Sequence, residues 1–341
     1  MAFRHWFSVA GAAALSFAAA VAPAAAQTVL TISSWVPVTH GLNKDLLQPW
    51  AQKIEAETQG RVKFRFLPKA VSSPPASFDA IRDGQADISF ISHSHLANRF
   101  PLIEFVSLPL VADTATARSV AAWRVYTKHF AKFDEHKGVK LLTIHAHGPG
   151  MSFTARKPVR QAADLKGQKI RVGGGMSLKM AEAMGASPVV KPPTEAFELL
   201  NGGVVDGIFF PAESVTSFKL TGALKYMTTV PGGLYSDSHA VIMNQKKFDS
   251  LSKADQQIVE RFSGEFMSRM AGESWDRADR AAMKELKDAG IEETRADARF
   301  LADVQAQTAT IRNAWFALVD GKGLSGKQIL DEFIKEAGNT R

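Results

Sequence analysis

The residue whose type and surroundings most clearly indicate a functional site is an arginine inside an apolar strand. The segment Lys169-Ile170-Arg171-Val172 reads as a strand and is followed by three glycines, residues 173–175. Side chains alternate along a strand, so Arg171 lies on the face opposite Ile170 and Val172. A guanidinium fixed on a strand is a preorganised fork for a carboxylate. The sequence therefore predicts an anion-binding site around Arg171.

Two pairs of histidines are further candidates for chemistry. One residue separates His93 from His95, and one separates His145 from His147. On a strand, such pairs share a face, which would suit a metal ion. No carboxylate lies at ligand spacing near either pair, so a polar cleft without metal is the favoured interpretation. Neither a metal nor a cofactor is expected.

The usual catalytic signatures are missing from the sequence. It contains no H-E-x-x-H, no G-x-S-x-G and no P-loop lysine motif, and residues 173–175 fit neither dinucleotide nor phosphate loops. Cysteine is absent, which excludes disulfides and a cysteine nucleophile. The sequence predicts a protein without catalytic residues. An exported enzyme acting on a carboxylate, with His93 or His239 as general base, is the alternative.

The N-terminus predicts export. Arg4 precedes an apolar run over residues 6–21, and Ala24-Ala25-Ala26 offers small residues for cleavage, so residues 1–26 read as a signal peptide. No later window approaches a membrane span. We expect a mature protein that is exported and does not itself span a membrane.

The charge of the chain gives weaker information about its partners. The formal net charge of +7 modestly favours anionic ligands. The densest basic run, residues 61–66, alternates as a half-exposed strand does, so no nucleic-acid partner is expected.

Strands alternate with helices along the mature chain, which predicts an α/β fold. About 315 residues remain after cleavage, a length typical of two lobes. The first lobe is predicted over 27–148 plus about 236–270. The second lobe is predicted over 149–235 plus about 271–341, including the C-terminal helices. Strands that cross between the lobes would form a hinge.

A long helix is predicted from residue 252 to residue 289. Ser252 and Asp255 resemble a capping box at its start. Its length of about 55 Å would exceed one lobe, so the helix should span both. Four apolar residues at four-residue spacing predict its buried stripe: Ile258, Phe262, Phe266 and Met270.

The stretch from Asp164 to Pro211 resembles the signature of solute receptors of tripartite ATP-independent periplasmic (TRAP) transporters. The similar motifs are DLKG, K-I-R-V, a helix ending in MGASPV, E-x-x-x-x-L, and V-V-D-G before a proline. Weaker similarity to this C4-dicarboxylate-receptor-like family extends over nearly all of the mature chain. The resemblance implies a two-lobed receptor with mixed sheets and a spanning helix, located in the periplasm of a Gram-negative-type bacterium. It also implies that Arg171 binds a carboxylate and that an ion-driven permease is the partner.

Ligands of α/β proteins collect at the carboxyl ends of strands, and this rule predicts the rest of the site. The positions it selects coincide with those that line the pocket in the TRAP receptor family. The predicted ligand contacts are Arg171, Trp35, Ser92, His93, Met151, Phe210, Pro211 and His239.

Two of these residues depart from the family pattern. Sialic-acid and C4-dicarboxylate receptors have a second arginine where this chain has Met151, and often a polar residue where it has Phe210. One cation beside these residues and Trp35 favours a monocarboxylate with an apolar, cyclic or aromatic body. A dicarboxylate would leave its second charge desolvated without a partner. A C4-dicarboxylate or a keto or hydroxy acid is the alternative ligand, and Met151 and Phe210 are then core residues.

Overall fold

The computed structural model describes residues 1–2, 27–96 and 98–340. Most of the predicted signal peptide, residues 3–26, lies outside the described residues. Within the described parts of the chain, no helix is both long enough and apolar enough to cross a membrane.

The secondary structure consists of eleven strands and eleven α-helices in the described residues, several extended by short 3-10 or π turns. The strands are β1 (Thr28–Ile32), β2 (Val62–Phe66), β3 (Ile88–Ser92), β4 (Val139–Ala146), β5 (Met151–Thr154), β6 (Lys169–Val172), β7 (Ser187–Val190), β8 (Gly207–Phe210), β9 (Tyr226–Thr229), β10 (Ser238–Asn244) and β11 (Glu292–Arg295). The helices are α1 (Gln48–Glu57), α2 (Ser77–Arg82), α3 (Ala115–Val125), α4 (Gly175–Ala183), α5 (Ala196–Asn201), α6 (Ala212–Ser217), α7 (Gln245–Asp249), α8 (Lys253–Arg261), α9 (Gly264–Asp288), α10 (Ala298–Asp320) and α11 (Gly326–Asn339).

Two mixed sheets organise the molecule into two lobes, which confirms the predicted fold class. The first sheet has the order β2-β1-β3-β10-β4, with β10 antiparallel to both of its neighbours. The second has the order β11-β9-β5-β8-β6-β7, with β5 antiparallel to β8 and β9. The chain therefore crosses between the sheets after β4, after β9 and again after β10. The numerical lobe boundaries stay a prediction.

The predicted long helix is broken, so the expectation of one continuous helix from 252 to 289 is wrong. Helix α9 starts at Gly264, whose φ is +60°. A Cβ at this position would lie 3.1 Å from the Trp123 ring. The carbonyl of Phe262 accepts a hydrogen bond from Trp50 Nε1 at 3.0 Å instead of continuing the helix. Of the predicted stripe, Phe262 is buried before the break, whereas Phe266 after it is 39% exposed.

Helix α9 nevertheless spans both lobes, as predicted. Its 25 residues extend about 37 Å, and it packs against α3 and β4 of the first lobe and α6 of the second. The Asp276 carboxylate accepts hydrogen bonds from the backbone N–H groups of Ala115 and Thr116, at the start of α3. The Asp279 carboxyl group accepts one from the N–H of Glu213 in α6, at 2.8 Å. These oxygens satisfy backbone N–H groups at the starts of helices, so α9 is joined to one helix of each lobe.

The C-terminal helices contact elements of both lobes. Helix α11 packs on α3, and α10 contacts α4 and the turn at residues 102–107. Trp315 of α10 donates a hydrogen bond from Nε1 to the Leu102 carbonyl at 3.2 Å. The largest apolar core cluster includes residues of both sheets and of these two helices.

Candidate ligand-binding cavity

A cavity with an empty volume of ≈ 590 Å³ lies at the carboxyl ends of strands from both sheets. Five aromatic side chains form much of its wall: Trp35, Phe210, Phe218, Tyr235 and Trp275. Its principal polar lining consists of Ser92, Ser94, His95, His147, Arg171, Asp237 and His239. The combination of several rings with few polar groups is typical of a small-molecule site.

Six of the eight predicted contacts line this cavity, and two do not. The six are Trp35, Ser92, Arg171, Phe210, Pro211 and His239. The other two, His93 and Met151, lie outside its wall, which corrects their predicted placement. Direct ligand contact stays a prediction for all eight.

His93 turns away because β3 ends at Ser92 and the chain enters a 3-10 turn over His93–His95. The His93 ring packs on Phe100 and places its Nε2 2.9 Å from Nε2 of His136. Burial and neighbouring histidines lower the pKa of His93 well below its ordinary value. The prediction placed Ser92 to His95 together at the cleft, after the end of the strand. Within the 3-10 turn, His95 lines the cavity whereas His93 does not.

Met151 lies beside the cavity wall rather than in it. It pairs with Phe210 across the antiparallel strands β5 and β8, and only 8% of its surface is exposed. Both residues belong to the apolar core of the second lobe. Met151 is therefore a core residue, one of the two roles considered for it, whereas Phe210 is both a core residue and part of the cavity wall.

Arg171 is held by a backbone carbonyl oxygen, and one of its nitrogens has no partner in the described part of the chain. Its Nε and Nη2 donate to the Lys191 carbonyl at 2.8 and 2.5 Å, and the Phe210 ring lies 4.5 Å from its Cζ. Among the described residues, Nη1 has no hydrogen-bond partner and no carboxylate forms an ion pair with the guanidinium. Burial lowers the Arg171 pKa to about 10, so it remains charged at neutral pH. A buried cation without a paired acid is a favourable partner for an anionic ligand.

Tyr235 adds a hydroxyl to the same cavity. Its ring stacks on Phe209 at 6.2 Å and fits against Gly150, where a Cβ would lie 2.3 Å from a ring carbon. Burial raises the pKa of Tyr235, so the hydroxyl keeps its proton and can donate it in a hydrogen bond. The sequence indicated only the segment around His239, and nothing in the local pattern distinguished Tyr235.

The three glycines after β6 allow the lobes to approach each other. Gly174 has φ +111°, and a Cβ there would lie 2.6 Å from the carbonyl oxygen of Ser94 in the first lobe. A Cβ on Gly175 would lie 2.9 Å from the Ser94 side chain. An ion pair between Lys179 and Glu104 also joins the two lobes. These glycines are thus required for contact across the cleft rather than for phosphate binding.

A carboxylate, Asp237, also lines the cavity, at a position that the sequence pattern did not predict. Its Oδ2 accepts hydrogen bonds from the hydroxyls of Ser92 and of Ser94, the latter at 2.7 Å, and lies 3.9 Å from Nε2 of His239. Burial opposes ionisation of Asp237, but the histidines around it and the Ser92 hydrogen bond leave its pKa below the ordinary value. Asp237 is therefore ionised at neutral pH.

The histidines of the cavity contribute no positive charge at neutral pH. Burial lowers the pKa values of His95 and His147 to about 4, and it also lowers that of His239. Arg171 is consequently the one permanent cation among the described residues that line the cavity. The described parts of the chain contain no group of three or more His, Cys, Asp or Glu residues arranged to hold a metal ion.

Two α/β lobes, a spanning helix and a largely aromatic cavity between the lobes define a solute-binding protein. The family model for bacterial extracellular solute-binding protein family 7, DctP, matches residues 32–317. This chain belongs to that family, and the predicted TRAP receptor identity is confirmed.

The chain is similar to solved TRAP solute-binding proteins and to a curated transporter protein. A TRAP periplasmic solute-binding protein of Bordetella bronchiseptica, solved with (R)- and (S)-mandelate, is 49% identical, with a TM-score of 0.90 over 92% of this chain and 100% of that one. A marine metagenome TRAP protein solved with 3-hydroxybenzoate is 30% identical, with a TM-score of 0.85 over 92% and 99%. The outer membrane transporter protein TsaT of Comamonas testosteroni is 30% identical over 96% of this chain and 97% of its own length.

Proposed function

We propose that this chain is the periplasmic receptor of a TRAP transporter and that it binds an aromatic monocarboxylate between its lobes. The observation that carries this proposal is Arg171, a buried cation whose Nη1 has no partner among the described residues. The ligand carboxylate would accept hydrogen bonds from Arg171 Nη1 and from the Tyr235 hydroxyl. Charge-assisted hydrogen bonds of this kind are short and strong.

The aromatic body of the ligand is supported by the walls of the cavity. Trp35, Phe210 and Trp275 offer ring faces and edges, and rings pack favourably in offset or edge-to-face arrangements. The relatives that were solved with mandelate and with 3-hydroxybenzoate hold acids of this class. A C4-dicarboxylate is disfavoured, because its second charge would find no cation and would be repelled by Asp237.

The transport cycle follows from the two-lobed architecture. The precursor would be exported and lose residues 1–26, and the mature receptor would close around its ligand. Closure removes water from the Arg171–carboxylate pair and strengthens it. The closed receptor would deliver the acid unchanged to a membrane permease that an ion gradient drives. No cofactor or catalytic step enters this cycle.

Arg171→Ala tests the proposal, with Arg160→Ala as a matched control because Arg160 is a largely exposed arginine of the same lobe. We expect Arg171→Ala to lose detectable phenylacetate binding by titration calorimetry while its circular dichroism matches that of the wild type. Arg160→Ala should bind normally. Retained affinity in Arg171→Ala would refute the assignment, and conversion of the acid to a product would instead indicate an enzyme.

A further inference from the structure

An ionised carboxylate is an unexpected component of a cavity that binds an anion. Asp237 follows Ser236 and precedes β10, and its backbone is fixed because its carbonyl accepts a hydrogen bond from the His147 N–H at 3.3 Å. Its Oδ2 is occupied by the hydroxyls of Ser92 and Ser94. Oδ1 has no hydrogen-bond partner among the described residues. The side chain, 15% exposed, borders the cavity, so this oxygen is available to a ligand.

Several buried polar groups around Asp237 also lack partners within the described chain. These are Nε1 of Trp35 and of Trp275, and Nδ1 of His95 and of His239. Each belongs to a residue that lines the same cavity. A buried polar group without a partner costs free energy, so a ligand group that reaches these atoms would be stabilised by supplying the missing partners. An ionised carboxylate accepts hydrogen bonds and cannot donate them, while an indole N–H only donates. A ligand hydroxyl group can pair with both kinds of group, because it can donate a hydrogen bond to the Asp237 carboxylate and accept one from an indole N–H.

We propose that Asp237 makes this receptor selective for aromatic acids that carry a hydroxyl group in addition to the carboxylate. This inference rests on the proposed function, because it presumes that the carboxylate is bound at Arg171. The hydroxyl donates its proton to Asp237 Oδ1, and the charge of Asp237 repels acids that offer a second carboxylate at this position.

The two polar subsites lie within reach of one small molecule. Ser94 Oγ, which donates to Asp237, is 3.6 Å from the position of a Cβ on Gly173. Arg171 Nη2 is 3.8 Å from the same point. The carboxylate and hydroxyl groups of an aromatic hydroxy acid can therefore occupy both subsites while its ring packs on the aromatic wall.

Matched acids that differ by one hydroxyl test this inference. Mandelate is compared with phenylacetate, and 3-hydroxybenzoate with benzoate, by titration calorimetry on the full mature protein. The wild type is expected to bind the hydroxy acid of at least one pair about 10- to 100-fold more tightly, because a hydrogen bond to a charged group is gained and Asp237 is no longer left unpaired. Equal affinities within both pairs would overturn the inference.

The Asp237→Asn variant tests whether the Asp237 side chain causes the preference for hydroxy acids. The variant should lose most of the hydroxyl preference while it binds phenylacetate and benzoate at least as well as the wild type, since a like charge has been removed. Asp288→Asn, an exposed carboxylate variant, should keep the wild-type preference. A hydroxyl preference that survives in Asp237→Asn, or equal losses for both acids of a pair, would refute the role of Asp237. If Asp237→Asn does not fold, Ser94→Ala replaces it and should weaken the preference by loosening the carboxylate.

Failure of the inference and failure of the proposed function give different results. Wild-type protein that binds none of the four acids contradicts the proposed function itself. Wild-type protein that binds all four without preference contradicts only the hydroxyl subsite.

Discussion

Arg171 and Asp237 show how single residues set the charge of this cavity. Arg171 is immobilised through the Lys191 carbonyl, so little conformational freedom is lost when an anion binds. Asp237 is immobilised by two serine hydroxyls. One fixed cation and one fixed anion on the same wall favour a ligand with one charge and one neutral donor.

Phe210 provides a test at the residue scale. Phe210→Leu removes the ring that lies over Arg171 but keeps an apolar side chain in the core. We expect phenylacetate affinity to fall about 5- to 10-fold, because the packing of the ligand ring against the Phe210 ring, worth about 1 kcal/mol, is lost. Calorimetry checks this, with Phe197→Leu as the control because Phe197 is 50% exposed and lies outside the cavity. Equal affinity in Phe210→Leu would mean that the ring does not contact the ligand.

The sequence predicted some residues of the site and missed others for identifiable reasons. Phe210 ends β8 and Arg171 precedes the last residue of β6, so their position near the cleft follows from the predicted strand ends. Trp275 lies in the middle of a helix, and only the packing of that helix across both lobes brings it to the cavity. Asp237 lies in a short connection whose direction depends on the register of β10 with its neighbours.

At the element scale, glycines and helix caps determine how the lobes meet. The triple glycine after β6 permits close contact with the Ser94 turn, and α9 bonds to helices of both lobes. The sequence predicted a helix between the lobes from the length of residues 252–289, in which Gly264 and Gly272 are the few helix breakers. It could not predict the break at Gly264, because the break depends on contacts with Trp50 and Trp123, which are distant in sequence.

Gly174→Ala tests the role of the glycine turn in closure. The new Cβ would overlap the Ser94 carbonyl, so the closed state is destabilised and ligand affinity should fall at least about tenfold. Gly167→Ala is the control, because Gly167 also has positive φ but no neighbour within 4 Å. The Gly167→Ala variant should lower the stability of the protein somewhat and leave its ligand affinity nearly unchanged. Equal affinity losses in both variants would indicate backbone strain alone.

The buried Asp279 carboxyl group should make the unfolding free energy of the protein depend on pH. Burial, with the nearby Glu213 and Asp276 charges, raises its pKa to about 8 in the folded protein. The folded state then holds a proton that the unfolded state loses above about pH 4, so this contribution to stability decreases between about pH 4 and pH 8. Asp279→Asn should remove that part of the decrease. Between pH 5 and pH 9, the unfolding free energy of the wild type should therefore decrease more than that of Asp279→Asn. The difference between the two decreases should be at least about 1 kcal/mol.

Denaturant titrations at pH 5, 7 and 9 measure this difference. Asp288→Asn, with its exposed side chain, serves as the control and should follow the wild-type pH dependence. Parallel pH dependence of wild type and Asp279→Asn would contradict a protonated Asp279.

At the scale of the whole molecule, three crossings between two mixed sheets make a hinged pair of lobes. Alternating strands and helices, with the length of the chain, were sufficient to predict this architecture. The positions of the C-terminal helices could not be predicted from the sequence in the same way. Helices α10 and α11 pack on elements of both lobes rather than on their sequence neighbours alone.

Closure predicts a change in size on ligand binding. Small-angle scattering of the mature protein should show a smaller radius of gyration with saturating mandelate than without it, because the ligand stabilises the closed arrangement of the lobes. Arg171→Ala under the same conditions should show no change. An identical radius for the wild type with and without ligand would contradict ligand-driven closure.

The central claim, a receptor for aromatic monocarboxylates built around one arginine, is tested most directly by competitive calorimetry on the ligand-free wild-type protein. Phenylacetate, mandelate, succinate and malate are titrated under identical buffer conditions. The structure predicts that an aromatic monoacid binds at least about 100-fold more tightly than either diacid, because the second carboxylate would be desolvated without a partner and close to Asp237. Tighter binding of succinate or malate than of both aromatic acids would contradict the claim.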